Sequence, residues 1–379
     1  MSLKVGVCGA GGFASDLIPL LQAHPLVSEV RIAEHSLARR REQAARFRIT
    51  TTYESLDELC RSDVDAIVIT TQRWLHGPQA VQALRAGKHV ASAVPAAVTL
   101  EELDDLVRTV RETGLTYMLL ETSHYYPSAI YCRTRFTKGD FGAFVYGEGS
   151  YLHDMSHGFY DAFRRAGSDA WKRDASFPPL LYPTHSIAMV LSVTGARMTS
   201  VSALGYVDDH EDGIFKTDVS RWGNAFSNET ALFRTSDGGI CRINEFRRVG
   251  LPMGRSVRTN IFGTEGSYEE QTNARSWSAR TAAPTDLTEL LRVGPSGVSA
   301  VHDAERLPRE FAGLKNGHEG SQQFLICDFL ESCARGSLPP NHVWQAARYT
   351  APGIVAHASA FKDGEPMAVP DLGGPPVSS

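Results

Sequence analysis

The feature that most narrows the fold is a glycine run near the amino terminus, in "LKVGVCGAGGFASDLIPLLQAHP". Lys4 to Val7 is a short β-branched run that reads as a buried strand. It meets Gly9-Ala10-Gly11-Gly12-Phe13-Ala14, which fits G-x-G-x-x-A, and an amphipathic helix follows with Phe13, Leu17, Leu20 and Leu21 on one side. The first glycine permits a tight turn, and the second lets the backbone approach a pyrophosphate. The small Ala14 packs helix against strand, which leaves the helix N-terminus aimed at the phosphates. A second strand, "EVRIAE", ends in Glu34 about 20 residues further on, where a carboxylate would hold adenosine ribose hydroxyls. Glu34 favours NAD, because a carboxylate repels a 2′-phosphate. Arg39, Arg40 and Arg41 could accept that phosphate, although a solvated helix face is the plainer reading, so NADP stays open.

The strand and helix rhythm continues. "VDAIVITT" is a buried-strand run, with Gln72 to His76 a loop at its end. Pro78 opens a helix that Gly87 closes. "KHVAS" is the next strand, Thr99 with Glu102 forms a capping box, and Leu103, Leu106, Val107 and Val110 give the following helix its apolar stripe. Gly114 ends that helix before the strand "TYMLLE". Such alternation means a doubly wound parallel sheet, a Rossmann domain expected over residues 1–122, with ligands at the carboxyl ends of its strands. Thr70, Thr71, His76, Val94, Pro95 and Glu121 to Tyr126 fall there, beside Gly9, Gly11, Gly12, Phe13, Ala14 and Glu34 of the cofactor loop.

After about Ser123 strands cluster: "FVYGEGSYL", "MTSVSALGYV", "ETALFRTSDGGICRINEF" and "RTNIFGTEGSYEE". Ser236 to Gly239 is a hairpin turn signal. The expectation is an α+β domain over residues 123–370 with a large, mostly antiparallel open sheet. Residues 282–300 read as a surface loop and 371–379 as a disordered tail. The polar chemistry concentrates in "PPLLYPTHSIAMVLSVTG". Pro183 suits a first helical turn and Gly195 a stop, so Tyr182 and His185 would project from a helix N-terminus. That position disfavours imidazolium and leaves His185 neutral, usable as a proton acceptor. A hydrogen-bonded core histidine and a packing tyrosine fit the same spacing. Tyr125 and its neighbours pose the same choice, since tyrosine serves as a base only where cationic neighbours such as an oxidised nicotinamide lower its pKa.

Composition excludes several classes. With 38 Lys and Arg against 43 Asp and Glu there is no basic block for phosphates, so no nucleic-acid partner is expected. Six scattered cysteines make neither a disulfide framework nor a metal set, and reduced thiols in a cytoplasmic protein are the default. No signal peptide or bilayer-length apolar run is evident, so no membrane partner is expected. His153, Asp154 and His157 have metal-ligand chemistry but weak spacing, so no metal is assigned. Glu148 and Trp171 could line a sugar pocket or simply pack.

Together "GAGGFA", "VITTQRWLHGPQAVQALRAGKHV", "YLHDM", "IFGTEGSYEE" and "GHEGSQQFLICDFLESCARG" resemble the Gfo/Idh/MocA oxidoreductases, nearly end to end. In that family's dehydrogenases the strand-end stretch is Glu-Lys-Pro, whose lysine assists proton transfer. Here it is Ala93-Val94-Pro95, and the aspartate expected four residues before the histidine is Leu181. The missing lysine and the intact Tyr-Pro-Thr-His resemble more closely the NAD-dependent α-N-acetylgalactosaminidase-like branch. There a sugar hydroxyl at carbon-3 is oxidised, a base takes the neighbouring proton, the anomeric group is eliminated, and water addition and reduction return the cofactor to its starting state. The resemblance implies Tyr125 as base at carbon-2, Tyr182 and His185 at the oxidised hydroxyl, and substrate contacts from Glu121, His153 and Asp154, with Trp171 a further candidate for the sugar pocket. It implies a sugar or glycoside as substrate and a homo-oligomer, dimer or tetramer. Ala93 replaces a substrate-contacting glutamate of that branch, which points to a different sugar. A net sugar or polyol dehydrogenase and a catalytically silent nucleotide-binding sensor are the alternatives.

Overall fold

Parallel strands buried on both faces read as unbroken apolar runs, and Ala66–Ile69 is such a run, with all four residues buried. In the computed structural model, which describes residues 2–167, 170–252 and 256–376, it lies inside a six-stranded parallel sheet. The elements run β1 (Leu3–Cys8), α1 (Gly12–Ala23), β2 (Val27–Ala33), α2 (Leu37–Phe47), β3 (Thr52–Tyr53), α3 (Leu56–Arg61), β4 (Ala66–Ile69), α4 (His76–Arg85), β5 (His89–Ser92), α5 (Leu100–Thr113) and β6 (Tyr117–Leu119). Strand order is β3-β2-β1-β4-β5-β6, so the order reverses between β1 and β4, where a doubly wound sheet opens its ligand crevice.

Local chemistry sets the helix ends. Ser36, Ser55 and Thr99 each accept the N–H three residues on, at 3.4, 3.2 and 3.1 Å. Glu102 reaches back to the Val98 N–H at 3.1 Å. Gly114 closes α5 at φ 66°, a left-handed cap.

The following elements are α6 (Pro127–Thr137), β7 (Phe144–Leu152), α7 (Tyr160–Gly167), α8 (Trp171–Ala175), α9 (Thr184–Thr194), β8 (Met198–Val207), β9 (Phe226–Thr235), β10 (Ile240–Phe246), β11 (Val257–Gly263), β12 (Gly266–Glu270), β13 (Arg275–Ala279), β14 (Ala282–Asp286), α10 (Gln322–Arg335), α11 (Val343–Ala360) and β15 (Met367–Ala368). A nine-stranded sheet has the order β14-β13-β12-β11-β7-β10-β9-β8-β15. It is antiparallel except where β10 runs parallel to β7. The apolar helix α9 covers one face; Leu204, Tyr206, Leu232 and Ile240 are exposed.

The chain forms two compact units, and they are not consecutive. One comprises residues 1–127, 291–347 and 372–379, the other 128–290 and 348–371. The contiguous block expected over 123–370 is therefore interrupted. The reason lies in α10, whose Phe324, Leu325, Ile326, Phe329 and Leu330 share one core with Leu17, Leu20 and Leu21 of α1. An amphipathic stripe announces burial without saying in which core. Two smaller expectations also change. Residues 282–286 form the edge strand β14, whose five exposed residues carry no alternation to read. In the expected tail, the Leu372 carbonyl accepts from Arg111 at 3.2 Å, and residues 377–379 lie outside the described residues. Among the described residues no helix is long and apolar enough to cross a membrane.

Two glycines of β7 let α9 lie directly on the sheet. A Cβ at Gly149 would sit 2.0 Å from the Ser186 carbonyl oxygen, and one at Gly147 would meet Val190 at 2.6 Å. Since α9 carries His185, this approach fixes where that histidine stands. Gly149→Ala must push backbone from backbone; we expect a loss of about 1–3 kcal/mol, the usual cost of overpacking, measured by urea unfolding.

Candidate active site

In the first unit the glycine loop is held from both sides. A Cβ on Gly9, at φ 94°, would stand 2.8 Å from the Thr70 carbonyl oxygen, so only glycine fits. Thr70 Oγ1 donates to the Gly9 carbonyl at 3.0 Å. Glu34 is 5% exposed, and its carboxylate accepts the Ala10 N–H and the Ser36 N–H, each at 3.0 Å. Arg39 stands 3.7 Å from the same carboxylate, and Arg40 donates to the Glu34 carbonyl at 2.7 Å. These two arginines are thus engaged around Glu34 rather than spread on a solvated face.

The residues present fit a dinucleotide. Gly11 caps α1 without a side chain, and a Cβ on Gly11 or Gly12 would meet nothing within 4 Å, so the first-turn N–H donors face open space. Glu34 keeps lone pairs beyond the two it uses, enough for a ribose diol. At the neighbouring strand ends, His76 is almost wholly buried, with Nδ1 2.9 Å from the Pro95 carbonyl and Nε2 3.2 Å from that of Thr71. Burial lowers its pKa to about 4, so the ring is neutral and donates to one carbonyl at a time. Val94, where a lysine would have served, is buried and apolar.

Glu121 and Tyr125 follow β6, yet neither is displayed on the surface. Glu121 is 0% exposed and accepts the Ser123 N–H at 2.8 Å. The Tyr125 hydroxyl donates to Asp328 at 2.5 Å, Arg306 holds the same carboxylate, and His302 Nε2 meets the Tyr125 carbonyl at 2.9 Å. A phenol proton committed to a carboxylate suits an anchor better than a base.

The second unit gathers a different set. Tyr151, Tyr182 and His185 stand ring to ring, with centroids 5.2 Å apart for Tyr151 and His185, 5.3 Å for Tyr182 and His185, and 6.0 Å for the two tyrosines. The Tyr151 hydroxyl lies 2.7 Å from His153 Nδ1, and His153 Nε2 lies 3.1 Å from the His157 carbonyl. A carbonyl only accepts, so the His153 proton belongs on Nε2 and Nδ1 accepts from Tyr151. Burial, then the nearby Arg247 charge, lowers His153 to about 4 and keeps it neutral. Arg247 lies 4.8 Å over the Tyr151 ring and pairs at 2.9 Å with fully buried Glu245, which Ser186 also contacts. Burial pushes Glu245 up to about 7.

Among the expected substrate residues of this unit, His153 joins the cluster and two do not. Asp154 caps a turn, accepting from Ser156 and Val249 N–H groups at 2.9 Å each. Trp171 packs with Met155, Phe163, Ile214 and Phe215, its ring under Arg164 at 4.9 Å. Sequence reasoning missed Tyr151, Glu245 and Arg247. The signal was the strand period of two, which puts Tyr151 on the same face as His153 and Glu245 in line with Arg247, and β7 pairs Tyr151 directly with Glu245.

Two outcomes follow from this geometry. Gly11→Ala should leave the melting temperature unchanged, because its methyl meets nothing, yet weaken NAD binding at least about tenfold by filling the face a pyrophosphate needs; calorimetric titration reads this. For His76 the folded value is depressed, so its stabilising share is full above about 6.5 and vanishes as pH falls through about 4. His76→Asn should therefore flatten the decline of melting temperature across that window relative to the unaltered protein.

Comparison with known proteins agrees with this architecture. Residues 3–120 match the family model described as "Oxidoreductase family, NAD-binding Rossmann fold". A glycosyl hydrolase family 109 protein of Shewanella amazonensis is 36% identical over 343 residues, 84% of this chain and 71% of that one. Another from Streptomyces filamentosus is 26% identical over 405 residues, 98% of this chain and 77% of its own. Levoglucosan dehydrogenase solved with NADH and levoglucosan superposes with a TM-score of 0.78 at 20% identity, covering 98% of this chain and 100% of that one. An oxidoreductase domain protein from Kribbella flavida gives 0.76 at 18%, covering 97% and 99%. The chain belongs to the Gfo/Idh/MocA oxidoreductase family, its first unit is an NAD-binding Rossmann domain, and glycosyl hydrolase family 109 proteins are among its relatives.

Proposed function

We propose that the protein acts on a glycoside through NAD by transient oxidation of a ring hydroxyl, elimination of the anomeric group, addition of water to the resulting double bond, and return of the hydride within one turnover. The observation that carries this reading is the ring cluster of Tyr151, Tyr182 and His185 joined to a neutral His153. NAD supplies the hydride acceptor and, later, the donor. What remains for this chain's side chains is proton chemistry, which a lysine does not supply here because position 94 is valine. His185, at the N-terminal turn of α9 and 7% exposed, is suited to accept the proton of a substrate hydroxyl, with Tyr182 aligning that hydroxyl. The names of the family 109 relatives support a glycoside as the substrate class.

Tyr125 enters this scheme as the anchor of its loop through Asp328, and the Tyr182–His185 cluster takes the carbon-bound proton after His185 has released the hydroxyl proton to solvent, then passes it to the departing aglycone. Chromogenic α- and β-glycosides with substoichiometric NAD⁺ test the whole reading. Aglycone released beyond the amount of NAD⁺, without build-up of NADH, is the expected result. Accumulation of NADH with free sugars and excess NAD⁺ would instead make the protein a net dehydrogenase. His185→Asn should lower kcat about 10²–10⁴-fold, the usual worth of a positioned acid–base group, while calorimetric NAD affinity stays as in the unaltered protein.

A further inference from the structure

Among the described residues four non-glycine residues have left-handed φ, and only His318 (51°) and Glu319 (55°) are neighbours. Gly320 follows at 85°, so three successive residues are left-handed. For residues with a Cβ this crowds the following carbonyl and persists only where the surroundings enforce it. Here they do. The Gly317 N–H donates to Gln322 Oε1 at 2.9 Å, the Gln323 N–H donates to Asn316 Oδ1 at 3.0 Å, and Asn316 Nδ2 donates to the Gly297 and Gly320 carbonyls at 3.0 and 2.8 Å. Glycine at position 318 would take the same path without strain. The chain instead carries a histidine there.

The turn is tied to the helix of the cofactor loop. Lys315 pairs with Asp16 of α1 at 2.8 Å, and Gln322 Nε2 reaches the same carboxylate at 3.4 Å. The His318 ring meets Phe13, in the first turn of α1, edge-on at 5.6 Å. The turn also packs against Thr122–Tyr125 at the carboxyl end of β6. His318, Gly11 and Gly12 are all exposed. Gln322 Nε2 lies 3.1 Å from His318 Nδ1. An amide nitrogen only donates, so Nδ1 accepts and the ring proton sits on Nε2, making that nitrogen a donor.

We propose that His318 is a phosphate-side ligand of the dinucleotide, and that the left-handed pair is held in order to present it. A pyrophosphate is doubly charged and its non-bridging oxygens offer more lone pairs than one helical turn has N–H donors, so an Nε2–H beside that turn meets an unfilled need. The inference rests on NAD being the cofactor of the first unit.

Calorimetric titration with NAD⁺ and with ADP-ribose, beside thermal unfolding without ligand, tests it on the full chain. His318→Gly should keep or raise the melting temperature, because strain is relieved, and weaken both ligands about tenfold, the worth of one hydrogen bond to a charged group. His318→Asn, which tolerates left-handed backbone and restores a donor, should recover part of that loss. Glu319→Gly, which relieves strain but keeps the ring, should bind both ligands within about twofold of the unaltered protein. Unaltered affinity in His318→Gly overturns the assignment, and if the melting temperature also falls, the ring is a packing group against Phe13. A loss confined to NAD⁺ places the ring on the nicotinamide half and overturns the phosphate assignment. Failure of the unaltered protein to bind either ligand overturns the cofactor reading together with this inference.

Discussion

One buried carboxylate organises the cofactor end of the first unit. Glu34 directly follows β2 and engages its two oxygens with the Ala10 and Ser36 N–H groups, so it ties the glycine loop to the start of α2. A carboxylate so buried is tolerable only with such partners. The loop cannot relax the other way, because Gly9 already lies against the Thr70 carbonyl. With both sides fixed, the first turn of α1 keeps its N–H donors pointed outward. The same carboxylate that braces the loop has lone pairs left with which to meet the adenosine ribose proposed here.

The second unit solves a harder electrostatic problem. Glu245 and Arg247 are almost completely removed from water, and such pairs seldom add net stability over an apolar packing of the same volume. What they do here is positional. Ser186, Glu245 and Arg247 link the first turn of α9 to the face of Tyr151, and Tyr151 passes its proton toward a neutral His153. The tautomer of His153 is thereby defined, in a place where a loosely held histidine would present either nitrogen. That definition matters more to proton transfer than the energy of any one contact.

Much of this was legible in the sequence, for identifiable reasons. Most of the Rossmann half was read directly, because β4 is an unbroken apolar run and α5 runs between caps at Thr99 and Gly114, whereas the two-residue β3 and the short α3 were not singled out. Tyr182 and His185 were singled out because Pro183 and Gly195 bracket their helix, and their rings do stand together. Tyr151 escaped because a tyrosine in a strand looks like core until its hydrogen bond is known. Asp154 was expected at the substrate from the resemblance and Trp171 as either pocket-lining or packing; in the structure Asp154 accepts from backbone donors and Trp171 packs into a small aromatic core. The return of 291–347 to the first unit was invisible, since Phe324, Phe329 and Leu330 would fill any apolar groove equally well.

That return has a consequence for how the molecule is made. The core under α1 is completed by residues near position 330, and more than 160 residues of a different unit are spelled out in between. During synthesis the amino-terminal sheet must wait with the Leu17, Leu20 and Leu21 side of α1 uncovered until α10 has left the ribosome. Elongation at about 5–20 residues per second makes that wait last on the order of ten seconds or more. A truncation anywhere before α10 would remove the residues that complete this core.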